Sequence, residues 1–216
     1  MTISLIHPSR GRAQKAFDTV NYWYDNSCGH FNIQHILSLD SDDSELKKYF
    51  ELFQNTWSQI IVNENTCVVE ATNIAAKLVT RDILIYLSDD FKCPKNWDEL
   101  IIRIFNNISG PILIKVDDCL QKFNVDVLTI PIMNRELYNK LGYFFHPGYK
   151  SMFVDQDLYH VCKNNKWIYP AANLHFPHEH PANGKAQNDE IYKRSAANWN
   201  QGKELYHKRM SLNFPL

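Results

Sequence analysis

The chain of 216 residues carries 23 Lys and Arg against 24 Asp and Glu, a formal net charge of −1. That length makes one domain with a sizeable core, and 44% hydrophobic with 13% aromatic residues exclude disorder. The near-neutral balance excludes a general attraction to nucleic acid or anionic membrane and leaves room only for a local basic patch. Cys28, Cys67, Cys93, Cys119 and Cys162 are dispersed and free of a Cys-x-x-Cys pair, the pattern of reduced thiols rather than of a disulfide framework or zinc site. No apolar run approaches the roughly 20 residues of a membrane helix. The chain enters a strand at once without a charged leader, so the expectation is a soluble protein of the cytoplasm.

Residues 2–7 read as a first strand, closed by Pro8, Ser9, Arg10, Gly11 and Arg12, and residues 13–24 have the helical spacing Ala16, Val20, Trp23. Such an opening is a cradle for a nucleotide base or diphosphate; equally, Arg10 and Arg12 are surface charges beside a turn. Residues 33–39 form the second strand, ending in Asp40, with Asp42 or Asp43 capping a helix over 45–53. The same acidic stretch also reads as a solvated helix start. A third strand over 59–62 precedes a helix over 68–79 with Ala71, Ile74, Ala75 and Leu78 on one face.

Residues 83–87 are a short apolar run rich in β-branched side chains, read as a buried strand, and they end in Ser88, Asp89 and Asp90. Adjacent carboxylates repel and resist desolvation, so a cation is expected beside them; the alternative is a solvated turn and helix cap. The alternation of strand and helix predicts a mostly parallel sheet covered on both faces. Three strand ends, at 8–12, 40 and 88–90, then converge on the edge where open α/β sheets bind ligands.

Further on, a helix is expected over 94–105, a strand over 111–116 with Asp117 and Asp118 in the loop after it, a short apolar stretch over 127–131 and a helix over 134–141. The aromatic loop 143–150 leads to a helix start holding Asp155 and Asp157. A helix N-terminus favours an anion there, as a general base or as a cap. A late strand over 166–169 precedes His175, His178 and His180, whose spacing matches no standard structural zinc pattern. The tail reads as helical from 189 to 209. It either packs its aromatics on the core with its charges in water or closes over a bound diphosphate.

Residues 70–91 resemble a segment of the GT-A glycosyltransferases, especially the large family-2 type, in which a helix bearing Arg-Asn-x-Gly precedes a strand ending in Asp-x-Asp. Asn73 falls on the motif asparagine and Ser88-Asp89-Asp90 on the Asp-x-Asp, while Thr72, Ala75 and Ser88 depart from the usual Arg, Gly and first Asp. The family also opens with a strand and Pro-Ser/Thr-x-x-Arg, matched by Pro8, Ser9 and Arg12. Its acceptor-side Glu-Asp-x-Asp-Leu is matched at 154–158, with Val154 in place of the Glu.

The resemblance implies a single α/β domain over 1–216 with a mixed, mostly parallel sheet flanked by helices. Its parts would be a nucleotide-sugar half (1–118), an acceptor half (119–182) and a helical tail (183–216). Pro8, Ser9, Arg10, Arg12, Asp40, Asn73, Ser88 and Asp89 would then serve the donor. Asp90 and His175 would hold Mn2+ or Mg2+, and Asp155 would be the base. The implied activity is inverting transfer of a hexose or pentose from a nucleotide-diphosphate sugar, UDP being the family's commonest carrier. The acceptor is a hydroxyl on a glycan or on a modified nucleic-acid base. Two other readings stay open: a sugar-phosphate nucleotidyltransferase, and a non-catalytic nucleotide-sugar or glycan-binding module, which the departures at Ser88 and Thr72 keep alive.

Overall fold

A computed structural model describes residues 1–29, 32–186 and 189–216. Strands β1 (Ile3–Ser9), β2 (Ile33–Asp40), β3 (Gln59–Asn63) and β4 (Ile83–Tyr86) alternate with helices α1 (Ala13–Asp25), α2 (Leu46–Phe53) and α3 (Val68–Lys77). After α4 (Trp97–Asn106) come β5 (Leu113–Asp117), β6 (Ile132–Asn134), α5 (Arg135–Leu141), α6 (Val154–Asn164), β7 (Ile168–His175), α7 (Glu190–Ala196) and α8 (Trp199–Ser211). The strands form one sheet in the order β3-β2-β1-β4-β6-β5-β7. Only β6 runs against its neighbours β4 and β5, so the sheet is mixed and mostly parallel.

Every residue of β1 is buried, as a central parallel strand covered on both faces must be. One face packs on α1, whose Ala13, Ala16, Val20 and Trp23 are buried, and across Trp23 on Trp97 of α4, 4.9 Å between rings. Each indole N–H finds a carbonyl, Trp97 that of Trp23 at 2.7 Å and Trp23 that of Phe91 at 3.0 Å, so both rings are buried without an unpaired donor. The other face takes α3 through Val69, Ala75 and Ala76. At the positions where the family motif has Arg and Gly, Thr72 and Ala75 are fully buried, and Thr72 Oγ1 donates back to Val68 O at 2.7 Å.

Several element ends differ from expectation for identifiable reasons. A strand missed in the sequence, β6, starts just after the apolar stretch 127–131; Pro131 lacks the N–H a ladder needs, while its carbonyl accepts from Tyr86 N at 3.1 Å. β7 runs on to His175 through Pro170, which is tolerated because β7 is an edge strand. The tail is two helices, broken at Ala197 and Asn198. Arg209 is buried against Asp157 instead of standing in water. Among the described residues, no helix is long and apolar enough to cross a membrane.

Candidate active site

A cleft of about 380 Å³ opens at the C-terminal ends of β1, β2 and β4, the edge at which such sheets bind ligands. Its floor is the loop after β1 and the segment after β4, with Asp40 at the end of β2. Its far wall is residues 150–155, the approach to and start of α6, and its roof is α7.

Asp89 and Asp90 are both buried and have different surroundings. Asp89 is spoken for by protein: Oδ1 meets His7 Nε2 at 2.8 Å and Oδ2 accepts from Ser9 Oγ at 2.9 Å. His7 Nδ1 lies 3.0 Å from His35 Nε2, and His35 Nδ1 lies 2.7 Å from Ser58 Oγ. Burial, with His7 adding to it, pushes the His35 imidazole well below its usual pKa, so it stays neutral. A proton arrangement that satisfies the chain has Ser58 donating to His35, His35 to His7 and His7 to Asp89. Asp89 thus anchors β4 to β1 and, through His7 and His35, to β2, while still lining the cleft.

Asp90 differs. Its Oδ2 accepts from Tyr192 OH at 2.7 Å and lies 3.4 Å from His178 Nε2. Its Oδ1 is buried without a partner, as is His178 Nδ1. Burial alone would raise the Asp90 carboxyl, but His178, Tyr192 and Ser88 outweigh it and hold it well below the usual carboxylate range. A buried anion with an unused oxygen beside an imidazole is a donor set that fits a divalent cation. His178 reaches this place because the chain beyond β7 runs antiparallel to Phe91 in a single bridge, with Glu179 N donating to Asp90 O at 2.7 Å. The His178 ring stacks on Phe91 at 4.2 Å between centroids.

The expected ligand pair of Asp90 and His175 is therefore corrected. His175 is not among the residues lining the cleft; its Nδ1 faces Asp117 Oδ2 at 3.0 Å. Asn73 is also absent from the lining. Its amide accepts from Phe144 N and Phe145 N and donates to Phe145 O, at 3.1, 2.9 and 2.7 Å, so it shapes the aromatic loop instead of touching a ligand.

The basic groups divide in a similar way. Arg10 pairs with Asp42 and with Asp40, the latter at 2.7 Å. Asp40 also accepts from Asn65 Nδ2 at 3.0 Å. Arg12 makes a two-pronged contact with Asp189, at 2.8 and 2.7 Å, and stacks 4.7 Å from the Tyr192 ring centre. Arg194 sits 3.9 Å from Asp40. Lys150 is exposed, lines the cleft and is ion-paired with none of the described residues. A floor of paired charges with a free ammonium at the rim suits a ligand carrying concentrated negative charge.

Across the cleft, Asp155 occupies the first turn of α6 with an accessible face toward the cavity. Burial, with a contribution from Asp118, pushes its carboxyl up to about 6, against the backbone N–H groups of Asp155 and Gln156. Asp157, two residues on, points elsewhere: it is buried and accepts from Tyr149 OH at 3.0 Å and Arg209 Nε at 2.6 Å. Of the two, only Asp155 is open to a ligand.

Sequence reading left His178 and His180 as loop residues and did not mark His7, Lys150 or Arg194 as site groups. A histidine inside an otherwise apolar first strand is the signal that could have found His7. The others depend on loop paths that periodicity does not encode.

No protein-family model matches the sequence, and no curated protein does. Solved structures do. TarS 1–349 of S. aureus, in complex with UDP, superposes with a TM-score of 0.66 at 13% identity over 82% of this chain and 59% of that one. The same protein with UDP-GlcNAc gives 0.66 at 12% over 98% and 73%. The mannosyltransferase PcManGT from Pyrobaculum calidifontis, in complex with GDP-Man and Mn2+, gives 0.69 at 11% over 85% and 58%. The chain thus spans about three-fifths of the length of the TarS–UDP and PcManGT chains. Its fold is the GT-A-like fold of these glycosyltransferases.

Proposed function

We propose that the chain is a metal-dependent glycosyltransferase that moves a sugar from a nucleotide-diphosphate sugar, UDP-linked by preference, to an acceptor hydroxyl with inversion. The observation that carries this reading is the facing arrangement in one cleft: a buried Asp90 with an unused carboxylate oxygen beside the partly buried His178 on one side, and Asp155 with a pKa near 6 on the other. The neighbours support it, since TarS binds UDP and UDP-GlcNAc and PcManGT binds GDP-Man with Mn2+.

Asp40, with Asn65 beside it, offers acceptors at the end of β2 for the nucleoside. Asp90 and His178 would hold the ion, Mn2+ for this mixed oxygen and nitrogen donor set or Mg2+, whose chemistry is to neutralise the charge growing on the leaving diphosphate. Lys150 and Arg194 line the same cleft and add positive charge where the phosphates would lie. Asp155 takes the proton from the acceptor hydroxyl as that oxygen bonds to the anomeric carbon and the bond from that carbon to the phosphate oxygen breaks. A base opposite the leaving group gives inversion. The acceptor enters past the aromatic loop, where Phe145 and Lys150 line the wall, and a glycan ring fits such a surface.

The test is a panel of UDP- and GDP-sugars incubated with Mn2+ and simple glycoside acceptors, with release of nucleoside diphosphate as the readout. Release that a chelator abolishes is expected. Pyrophosphate release from a nucleoside triphosphate and a sugar phosphate, with none from the sugar panel, would replace this reading by nucleotidyl transfer.

A further inference from the structure

A second group of metal-ligating side chains lies outside the cleft. β5 and β7 pair in simple register from Leu113 opposite Ile168 to Val116 opposite Ala171, and then the register jumps to Asp117 opposite His175. Irregularities of this kind re-aim a side chain, and here His175 Nδ1 comes to 3.0 Å from Asp117 Oδ2. On the loop leaving β5, Cys119 adopts φ 56°, a left-handed conformation uncommon for a residue other than glycine. Its Sγ then lies 4.0 Å from the same His175 nitrogen. Cys119 N donates to Asp117 Oδ1 at 2.9 Å, which leaves Oδ2 aimed at the imidazole. A carboxylate oxygen, a sulfur and an imidazole nitrogen fall within 4.8 Å of one another, and both Cys119 and His175 are exposed, so an ion has a path in.

We infer that Asp117, Cys119 and His175 bind a divalent cation of the zinc class, separate from the ion of the cleft, with the fourth position left to water. The donor set decides the class: a thiolate selects Zn2+ over the oxygen-seeking Mg2+ and Mn2+, and three protein ligands with one open position is an established zinc geometry. The pocket beside Asp117 holds only about 10 Å³, so the ion acts as a clamp. What it clamps matters for the cleft. Phe176 N donates to Asp117 O at 2.8 Å and His178 N to Asp118 O at 2.9 Å, so the ion would brace the strand ends from which His178 reaches Asp90. The site does not depend on the proposed transfer activity.

Co2+ titration of the full-length, reduced, metal-free protein tests this. One equivalent should develop thiolate-to-cobalt charge-transfer absorption, which Zn2+ bleaches. The cleft ligands Asp90 and His178 include no sulfur and cannot produce that band, so Asp90→Asn should keep it. Cys28→Ser, at the other exposed thiol, should also keep it. Cys119→Ser should lose it. His175→Ala should weaken Zn2+ by more than the roughly 10- to 100-fold that loss of an outer-shell partner costs. Absence of the band in the parent protein, or its survival in Cys119→Ser, overturns the assignment.

Discussion

Asp155 answers two opposed demands, and the opposition can be measured. Its carboxyl titrates near 6 in the folded chain against 3.8 in an unstructured one. Between those values the folded state binds more protons, so this group's contribution to stability falls as pH rises from about 4 to about 6. A base must be ionised to accept a proton, so transfer should rise through the same region and level off above it. Asp155→Asn should therefore lower turnover by about 10²- to 10⁴-fold while retaining nucleotide binding and melting higher than the parent at pH 7. Parent-like turnover in that variant would remove Asp155 from the mechanism. The metal pair gives a second residue-scale contrast. His178→Ala should abolish Mn2+-dependent binding of the nucleotide sugar, measured by calorimetry, and His175→Ala should at most weaken it, through loss of the brace behind His178. The reverse result would return the cleft ion to His175. That Asp90 and Asp155 reach one cleft was legible in the sequence because each stands at a fixed offset from an element boundary. His178 was not, because its placement depends on the bridge to Phe91, and three histidines within six residues give no clue to which one turns inward.

Among the elements, α7 stands out because the groups holding it down belong to the cleft. Its N-cap Asp189 accepts from Ile191 N and Tyr192 N and also takes the two-pronged contact from Arg12. Tyr192 bonds Asp90, and Arg194 approaches Asp40. A helix of seven residues has little stability of its own, so these contacts decide whether it forms. Under the proposed function, a donor seated beneath α7 would compete for these contacts, and its diphosphate would give Arg12 and Arg194 new partners. Backbone hydrogen exchange should be faster in 190–196 than in β1, slow further when UDP and Mn2+ are added, and speed up in Asp189→Ala, where loss of the cap costs about 1 kcal/mol locally. Equal protection of α7 with and without nucleotide would exclude a covering role. The helical pattern of the tail was readable. The break at Ala197 and Asn198, which separates a piece over the cleft from a piece on the core, was not, because neither residue is a breaker of helices by type. The sheet was the most legible part, since its buried parallel strands are short apolar runs ending at turn residues; only β6, three residues after a proline, escaped.

Taken as a whole, the molecule holds the cleft wall formed by residues 150–155 in place from its C-terminal helix. α8 packs on α6 and the loop before it: Arg209 bonds the buried Asp157 at 2.6 Å, and Trp199 and Tyr206 flank Phe153 at 4.8 and 5.6 Å between ring centres. Breaking a buried pair strands a charge, so Arg209→Ala should lower the unfolding free energy in urea by about 3–5 kcal/mol. The tighter constraint is Gly202, where α8 crosses residues 152 and 153. A β-carbon there would stand 2.4 Å from the Met152 carbonyl oxygen and 3.1 Å from its carbon, and backbone cannot swing aside as a flexible side chain can. Gly202→Ala must push α8 off the loop that leads into Asp155, at a cost of about 1–3 kcal/mol, typical of overpacking. Burial raises the Asp155 carboxyl, and residues 152 and 153 lead directly into its helix. Loosening that segment should therefore move the midpoint of the pH–rate profile below 6 as well as lower the denaturation midpoint. A stability loss with an unmoved pH midpoint would mean that the tail props up the fold without setting the chemistry of the base. A shift in both would tie the last helix of the chain to proton transfer.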